Sequence, residues 1–238
     1  MAQGSKFIVV FLLFTASATI LFSASETRAP ILVELFTSEG CSSCPPADRL
    51  LEQLDSRFVV LSEHVDYWNH DGWTDPFSSA EWTARQETYG RHFKLDGPYT
   101  PQMVVDGSVE FTGSNVTRAA HELALAKDRP KAAVRLERSS TGVQVKIESA
   151  RTGAGVFLAI ADDSGESQVG AGENRGRQLH HVAIARSLRK IGRIDSEGRF
   201  HREVALPEKT RRQRVIVFLQ QGDAGVVSGA AMLAAEKL

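Results

Sequence analysis

The chain of 238 residues contains two cysteines, and they stand three positions apart in Cys41-Ser42-Ser43-Cys44. At the start of a helix that spacing puts both sulfurs within one turn, close enough to bridge. The unpaired N–H groups and positive dipole end of a helix N-terminus favour thiolate over thiol there. Pro45 and Pro46 lack N–H groups and fix φ near its helical value. They open the helix without wasting donors and leave the amides of Ser43 and Cys44 to face the Cys41 sulfur. Cys41, expected to be exposed, is the expected attacking thiol; Cys44, deeper in the turn, would resolve mixed disulfides. The competing reading is a structural disulfide that never turns over. Two cysteines alone exclude a multiply stapled mini-scaffold and a four-cysteine zinc site.

Three other constellations invite chemistry. His64, Asp66 and Trp68 alternate, which on a strand would give them one face and bring an imidazole and a carboxylate near the cysteines. A cysteine pair with one histidine would also suit copper(I), so metal delivery is an alternative to redox exchange, although no resident cofactor is expected. Trp68, Trp73 and Phe77 make the following loop unusually aromatic, either a substrate-binding wall or a small satellite core. Gly170-Ala171-Gly172-Glu173-Asn174-Arg175-Gly176-Arg177 fits neither phosphate-binding glycine pattern; it is expected to be a tight turn between strands, or else an anion or partner contact. His180 and His181 beside it read as surface or core residues rather than ligands. No G-x-S-x-G, H-E-x-x-H or P-loop occurs, which removes those hydrolase and NTPase readings.

These residues need elements to hold them. Ile31 to Phe36 reads as a buried strand, and Ala47, Leu50, Leu51, Leu54 and Phe58 recur at helical spacing after the prolines. Val59 to Val65 is a second strand. Ser78 and Glu81 form a capping box that opens a helix to about Phe93, with Trp82, Tyr89 and Phe93 on one side. Asp106-Gly107 between apolar runs predicts a hairpin, and a helix follows from about Asn115 to Lys127. After residues 127–131, charged and proline-containing, the period changes to two. Val134 and Leu136, Val143, Val145 and Ile147, and Val215, Val217 and Leu219 alternate with polar residues, and Gly142, Gly165, Gly198 and Gly222 would mark turns. The expected fold class is therefore α/β: an α/β domain over residues 26–129, then a β-rich, antiparallel sandwich-like domain of roughly seven strands over 130–238.

Ahead of these, Lys6 precedes an uncharged run from Phe7 to Phe22, and Ala16-Ser17-Ala18 offers a cleavage site. The strongly apolar part is short for a bilayer span of about 20 residues, so residues 1–25 read as a signal peptide and the protein as periplasmic or secreted. An uncleaved anchor is the alternative. With 28 Lys and Arg against 29 Asp and Glu, the formal charge of −1 gives no footprint for nucleic acid. The expected partner is an exported protein or a small thiol or disulfide.

Residues Ile31 to Phe36, the C-x-x-C helix and Tyr99 to Gly107 are similar to the thioredoxin pattern in order and spacing. The resemblance implies that Pro101 is held in cis beside the sulfurs, that the backbone of Thr100 pairs with substrate, and that Glu34 is the buried acid assisting proton transfer at the second cysteine. Gly40 departs from it by standing where thioredoxins carry tryptophan. Glu34 to Asp48, His64 to Trp68, Tyr99 to Val105 and Ala171 to Arg177 further resemble the exported bacterial family known as domain of unknown function 1223. That resemblance implies a thioredoxin-like N-terminal part followed by a β-rich part. The leading expectation is an exported thiol–disulfide oxidoreductase. The alternatives are an envelope interaction module with a structural disulfide, or the copper(I)-delivery protein.

Overall fold

The computed structural model describes residue 1 and residues 29–70, 72–207 and 212–234; the expected signal peptide, apart from residue 1, lies outside the described residues. Eleven strands and three helices follow in the order β1 (Ala29–Thr37), α1 (Pro45–Asp55), β2 (Phe58–His64), α2 (Ala80–Phe93), β3 (Gln102–Val105), β4 (Val109–Thr112), α3 (Val116–Lys127), β5 (Ala133–Arg138), β6 (Gly142–Glu148), β7 (Gly155–Gln168), β8 (Gln178–Arg193), β9 (Phe200–Ala205), β10 (Gln213–Gln220) and β11 (Val227–Leu233). The fold is α/β, with one large mixed sheet ordered β11-β10-β7-β8-β2-β1-β3-β4 and a small sheet ordered β5-β6-β9. Strands from both halves of the chain share the large sheet. The seam is a short parallel pairing of β2 with β8, where Ser62 faces Ile184.

Alternation along the strands sorts the core. Ile31, Val33 and Leu35 of β1 pack with Leu50, Leu51 and Leu54 of α1 and with Leu123 of α3. Leu32 and Phe36 point the other way, toward Trp82 and Tyr89 of α2 and toward Phe157 and Phe218. Further along the sheet, Val156, Leu158, Val215 and Val217 meet Val143, Val145 and Ile147 of the small sheet in a third cluster. The sandwich-like packing of the C-terminal half is thus small sheet on large sheet, through residues of period two.

The local signals hold with shifts that have physical causes. Helix α1 stops at Asp55, so Phe58 begins β2 instead of extending the helical stripe. The N-cap of α2 is Ser79, whose side chain accepts from the Glu81 amide at 3.2 Å. Ser78, one residue earlier, is occupied by the preceding loop: its hydroxyl donates to the Asp75 carbonyl at 2.8 Å. Asp106 and Gly107 both take positive φ at the β3–β4 turn, as the dipeptide demands. Gly165 lies inside β7 rather than at a turn. A Cβ there would come within 2.9 Å of the Phe77 ring, so the glycine makes room for an aromatic side chain.

Candidate functional site

Cys41 and Cys44 form a disulfide, with Cα atoms 5.5 Å apart. Cys44 is the N-cap of α1, and Cys41 lies outside the helix in the preceding turn, its amide donating to the Ser38 carbonyl at 3.2 Å. The amide of Cys44 does not face the sulfur; it donates to the Cys41 carbonyl at 3.2 Å, because the C-x-x-C residues close a turn before the helix begins. Cys41 is not exposed either. It is 1% accessible and Cys44 0%, while Ser42 and Ser43 between them face solvent.

The Thr100–Pro101 peptide is cis and leads into β3. Ser43 links this segment to the disulfide, its hydroxyl 3.3 Å from Cys41 Sγ and 3.5 Å from the Thr100 carbonyl. The Thr100 hydroxyl accepts from the Trp68 indole N–H at 2.8 Å. Trp68 also explains Gly40: an ideal Cβ on that glycine would sit 2.7 Å from the Trp68 carbonyl and 3.0 Å from its Cβ. The tryptophan comes from the loop, and its close approach requires glycine before Cys41.

Two loops close over the cysteines. The hairpin tip 170–177, between β7 and β8, sends Asn174 inward with 0% exposure, and its Nδ2 donates to the carbonyls of Glu39 at 2.8 Å and Cys41 at 2.9 Å. Beside it, Glu173 accepts from the Ser42 amide at 2.9 Å, and that hydrogen bonding holds its carboxyl below the usual range. Gly172 and Gly176 take positive φ to shape this tip. The second loop, 65–79, crosses it where Trp73 packs on Gly170.

Beneath the turn lies a buried charged cluster. His181 of β8 places Nε2 3.3 Å from Glu39 Oε1 and Nδ1 3.8 Å from Asp48 Oδ1, the latter a charge contact rather than a hydrogen bond. Asp48 also accepts from Thr37 Oγ1 at 2.8 Å. Glu39 accepts from the Trp73 indole at 2.9 Å and from the Ser167 hydroxyl. Burial alone would lower the His181 pKa; the nearby Asp48 and Glu39 carboxylates outweigh it and push it up to about 10. His64 stands edge-on to His181, ring centroids 4.6 Å apart, and bonds Asp75 through Nδ1 at 2.7 Å. Burial would raise the Asp75 carboxyl; the His64 charge and bond, with the amides of Glu39 and Phe77, lower it to about 2. His64 Nε2 and His181 Nδ1 have no hydrogen-bond partner.

Several expected residues stand elsewhere. Glu34 is on the β1 face opposite α1, where its carboxylate takes Arg85 Nε at 2.8 Å and the Tyr89 hydroxyl at 2.5 Å from α2. Strand alternation thus turns it away from the helix that carries the cysteines; the buried acids on that side are Asp48 and Glu39. Glu63 shares the Glu34 face, 3.2 Å from Arg85, and burial, with the Glu34 charge, raises its pKa well above normal. Because β2 ends at His64, alternation lapses, and Asp66 binds the Thr83 hydroxyl at 2.6 Å rather than joining His64. Phe77 is 7% exposed and packs edge-on against His64 and His181, so it seals the cluster and forms no open wall. Trp73 is likewise committed to Glu39, and Trp68 is the half-buried aromatic beside Thr100. The described residues hold no group of three or more His, Cys, Asp or Glu side chains arranged to bind a metal ion.

A family model described as "Protein of unknown function (DUF1223)" matches residues 32–220. The chain belongs to the DUF1223 family. A crystal structure of a protein from Agrobacterium tumefaciens resembles this DUF1223 chain at 28% identity and a TM-score of 0.78, covering 90% of this chain and 98% of that one. HBP35 of Porphyromonas gingivalis resembles it in fold, at 14% identity and a TM-score of 0.53, over 87% of this chain and 76% of that one. No curated protein matches the sequence.

Proposed function

We propose that this protein is an exported, periplasmic or secreted thiol–disulfide oxidoreductase built on a thioredoxin-like N-terminal part, with Cys41 the exchanging sulfur and Cys44 the resolving one. The carrying observation is the Ser43 hydroxyl, 3.3 Å from Cys41 Sγ and 3.5 Å from the carbonyl that precedes the cis proline. An extended partner that pairs with the Thr100 backbone would lie directly against the disulfide. Supporting the thioredoxin-like reading are the sheet order β2-β1-β3-β4, with β1 and β2 parallel and β3 antiparallel to β1, and the C-x-x-C turn between β1 and α1. Export is supported by the uncharged N-terminal run and by a disulfide, which persists in oxidising compartments. Partners are exported proteins or small thiols and disulfides.

Burial of both sulfurs favours a second reading, a structural bridge in an envelope interaction module. Redox titration separates them. An exchange protein equilibrates with glutathione at roughly −180 to −260 mV, whereas a structural bridge resists reduction to below about −300 mV. Cys44→Ser is expected to trap mixed disulfides with partner thiols, and Cys41→Ser to abolish thiol oxidation and insulin reduction. Wild-type turnover in both variants would defeat the enzyme reading.

A further inference from the structure

The cluster of Glu39, Asp48 and His181 contributes nothing to the apolar core and takes ionisable groups out of water beside the disulfide. Such burial is costly unless charges compensate one another, and here two carboxylates flank one imidazole. Both carboxylates are tied to the cysteines by short stretches of chain. Asp48 follows Cys44 by one helical turn, so the two side chains share a face of α1, and the Asp48 amide donates to the Cys44 carbonyl at 3.1 Å. Glu39 precedes Cys41 by two residues, and Asn174 joins the carbonyls of both.

We propose that this cluster is the electrostatic control of the Cys41–Cys44 pair: His181, reaching in from β8, favours the reduced, thiolate-bearing form, while Glu39 and Asp48 oppose it, so that the C-terminal half of the chain sets the redox potential. The proposal deepens the oxidoreductase reading and rests on it for its meaning in function. His181 is a positioning residue here; it touches neither sulfur. The groups facing it come from every packed element: Glu39 from the β1–α1 turn, Asp48 from α1, and His64 from β2 with Asp75 bound to it. Ser167 of β7 acts through Glu39, and Arg186 of β8 lies 5.2 Å from the Phe77 ring. Phe77 and Trp73 exclude water, which lets charges act over one helical turn with little screening.

In the reaction a partner thiolate attacks Cys41 Sγ. The partner–Cys41 bond forms as the Cys41–Cys44 bond breaks, and Cys44 leaves with the electron pair. A second partner thiolate then attacks the partner sulfur of the mixed disulfide and releases Cys41 as thiolate. Two electrons have passed from the partner dithiol, which ends as a disulfide. Of its two protons, one is taken up by Cys44 and the other goes to solvent. Two anions appear transiently beside the cluster, so its net charge acts on each step.

The test uses the full chain, titrated in dithiothreitol buffers, with alkylation rates of Cys41 measured against pH. His181→Gln is expected to lower the equilibrium constant for reduction at least tenfold, which for a two-electron couple is about 30 mV per tenfold, and to raise the pH midpoint of alkylation. Glu39→Gln and Asp48→Asn are expected to move both readouts the opposite way. A purely structural role predicts shifts of one sign in all three variants; that result, or no shift, overturns the proposal. Should His181→Gln fail to fold, His181→Asn takes its place, since only a histidine variant that makes reduction harder while Glu39→Gln and Asp48→Asn make it easier separates charge from loosened structure. Dithiothreitol also reads a bridge too stable for glutathione, so the failure of the oxidoreductase reading and the failure of electrostatic control give different data.

Discussion

Asn174 holds the disulfide turn through two buried hydrogen bonds, at 2.8 and 2.9 Å, to carbonyls on either side of Gly40. In Asn174→Ala the Glu39 carbonyl loses the Asn174 donor and the Cys41 carbonyl keeps only the Cys44 amide, among residues without access to water. Leaving a buried acceptor unsatisfied costs about 1–3 kcal/mol. Since Asn174 Oδ1 has no hydrogen-bond partner, its removal breaks no further bond. If only one of the two carbonyls fails to find another donor, the turn opens more often by roughly 5- to 150-fold, at about 1.4 kcal/mol per tenfold. The rate at which dithiothreitol reduces Cys41–Cys44 should rise by that factor, followed by thiol trapping under conditions where the protein stays folded by circular dichroism. A urea midpoint lowered in proportion, with unchanged slope, would accompany it. Reduction at the wild-type rate in a destabilised variant would refute the reasoning, because the bonds would then support the fold without restraining the bridge.

Other expectations follow from the same structure. Because the folded-state pKa of His181 is raised to about 10 from 6.5, its stabilisation is complete below pH 6.5 and lost as pH rises through 10, and the stability gap between wild type and His181→Gln, a few kcal/mol near neutrality, should close over that window in denaturant titrations. Arg85→Met removes the cation between Glu34 and Glu63 and should destabilise by about 3–5 kcal/mol, whereas Glu63→Gln, at a carboxyl whose pKa burial and the Glu34 charge raise, should cost under about 1 kcal/mol; equal losses would contradict this reading. Gly40→Ala should cost about 1–3 kcal/mol and quench differently at Trp68, whose backbone must move to admit the methyl group.

What could be read from the chain in advance was local. The C-x-x-C pair, the helical stripe of Leu50, Leu51 and Leu54, the Asp106-Gly107 turn and the period-two strands each declare themselves within a dozen residues. The surroundings of the disulfide do not. Asn174 binds a carbonyl 133 residues away, and His181 a carboxylate 142 residues away, through a sheet seam of a single paired position that no periodicity marks. The Ala171–Arg177 motif is legible as a motif through its glycines and arginines, but Glu173 and Asn174 make the contacts. Glu34 faces α2 rather than α1 for a geometric reason: whether a strand residue faces a helix depends on which side the crossover packs, and sequence spacing does not state that. Trp68 reaches the residue before Cys41 from a separate loop, and only its close contact with Gly40 makes that legible.

Burial of Cys41 therefore does not by itself choose between exchange and structure; the cost of uncovering it does. Ser42, Ser43 and the half-buried Thr100 already form an open edge, so a partner needs only the sulfur turned toward that edge. What prevents this is the hairpin tip, fastened by Asn174 and by one Glu173 contact at the surface, together with Trp68. Buried bonds such as the two from Asn174 are worth about 1 kcal/mol each in net terms, so the need to break them slows exchange by a factor of tens rather than forbidding it. A partner that supplies its own donor to the Cys41 carbonyl, or a carboxylate to the Ser42 amide, would replace the tip at little cost. A thiol without such groups, such as dithiothreitol, can do neither. Under the proposed oxidoreductase reading, such a cover would favour an extended polypeptide that rebuilds the displaced hydrogen bonds over thiols that carry no matching groups.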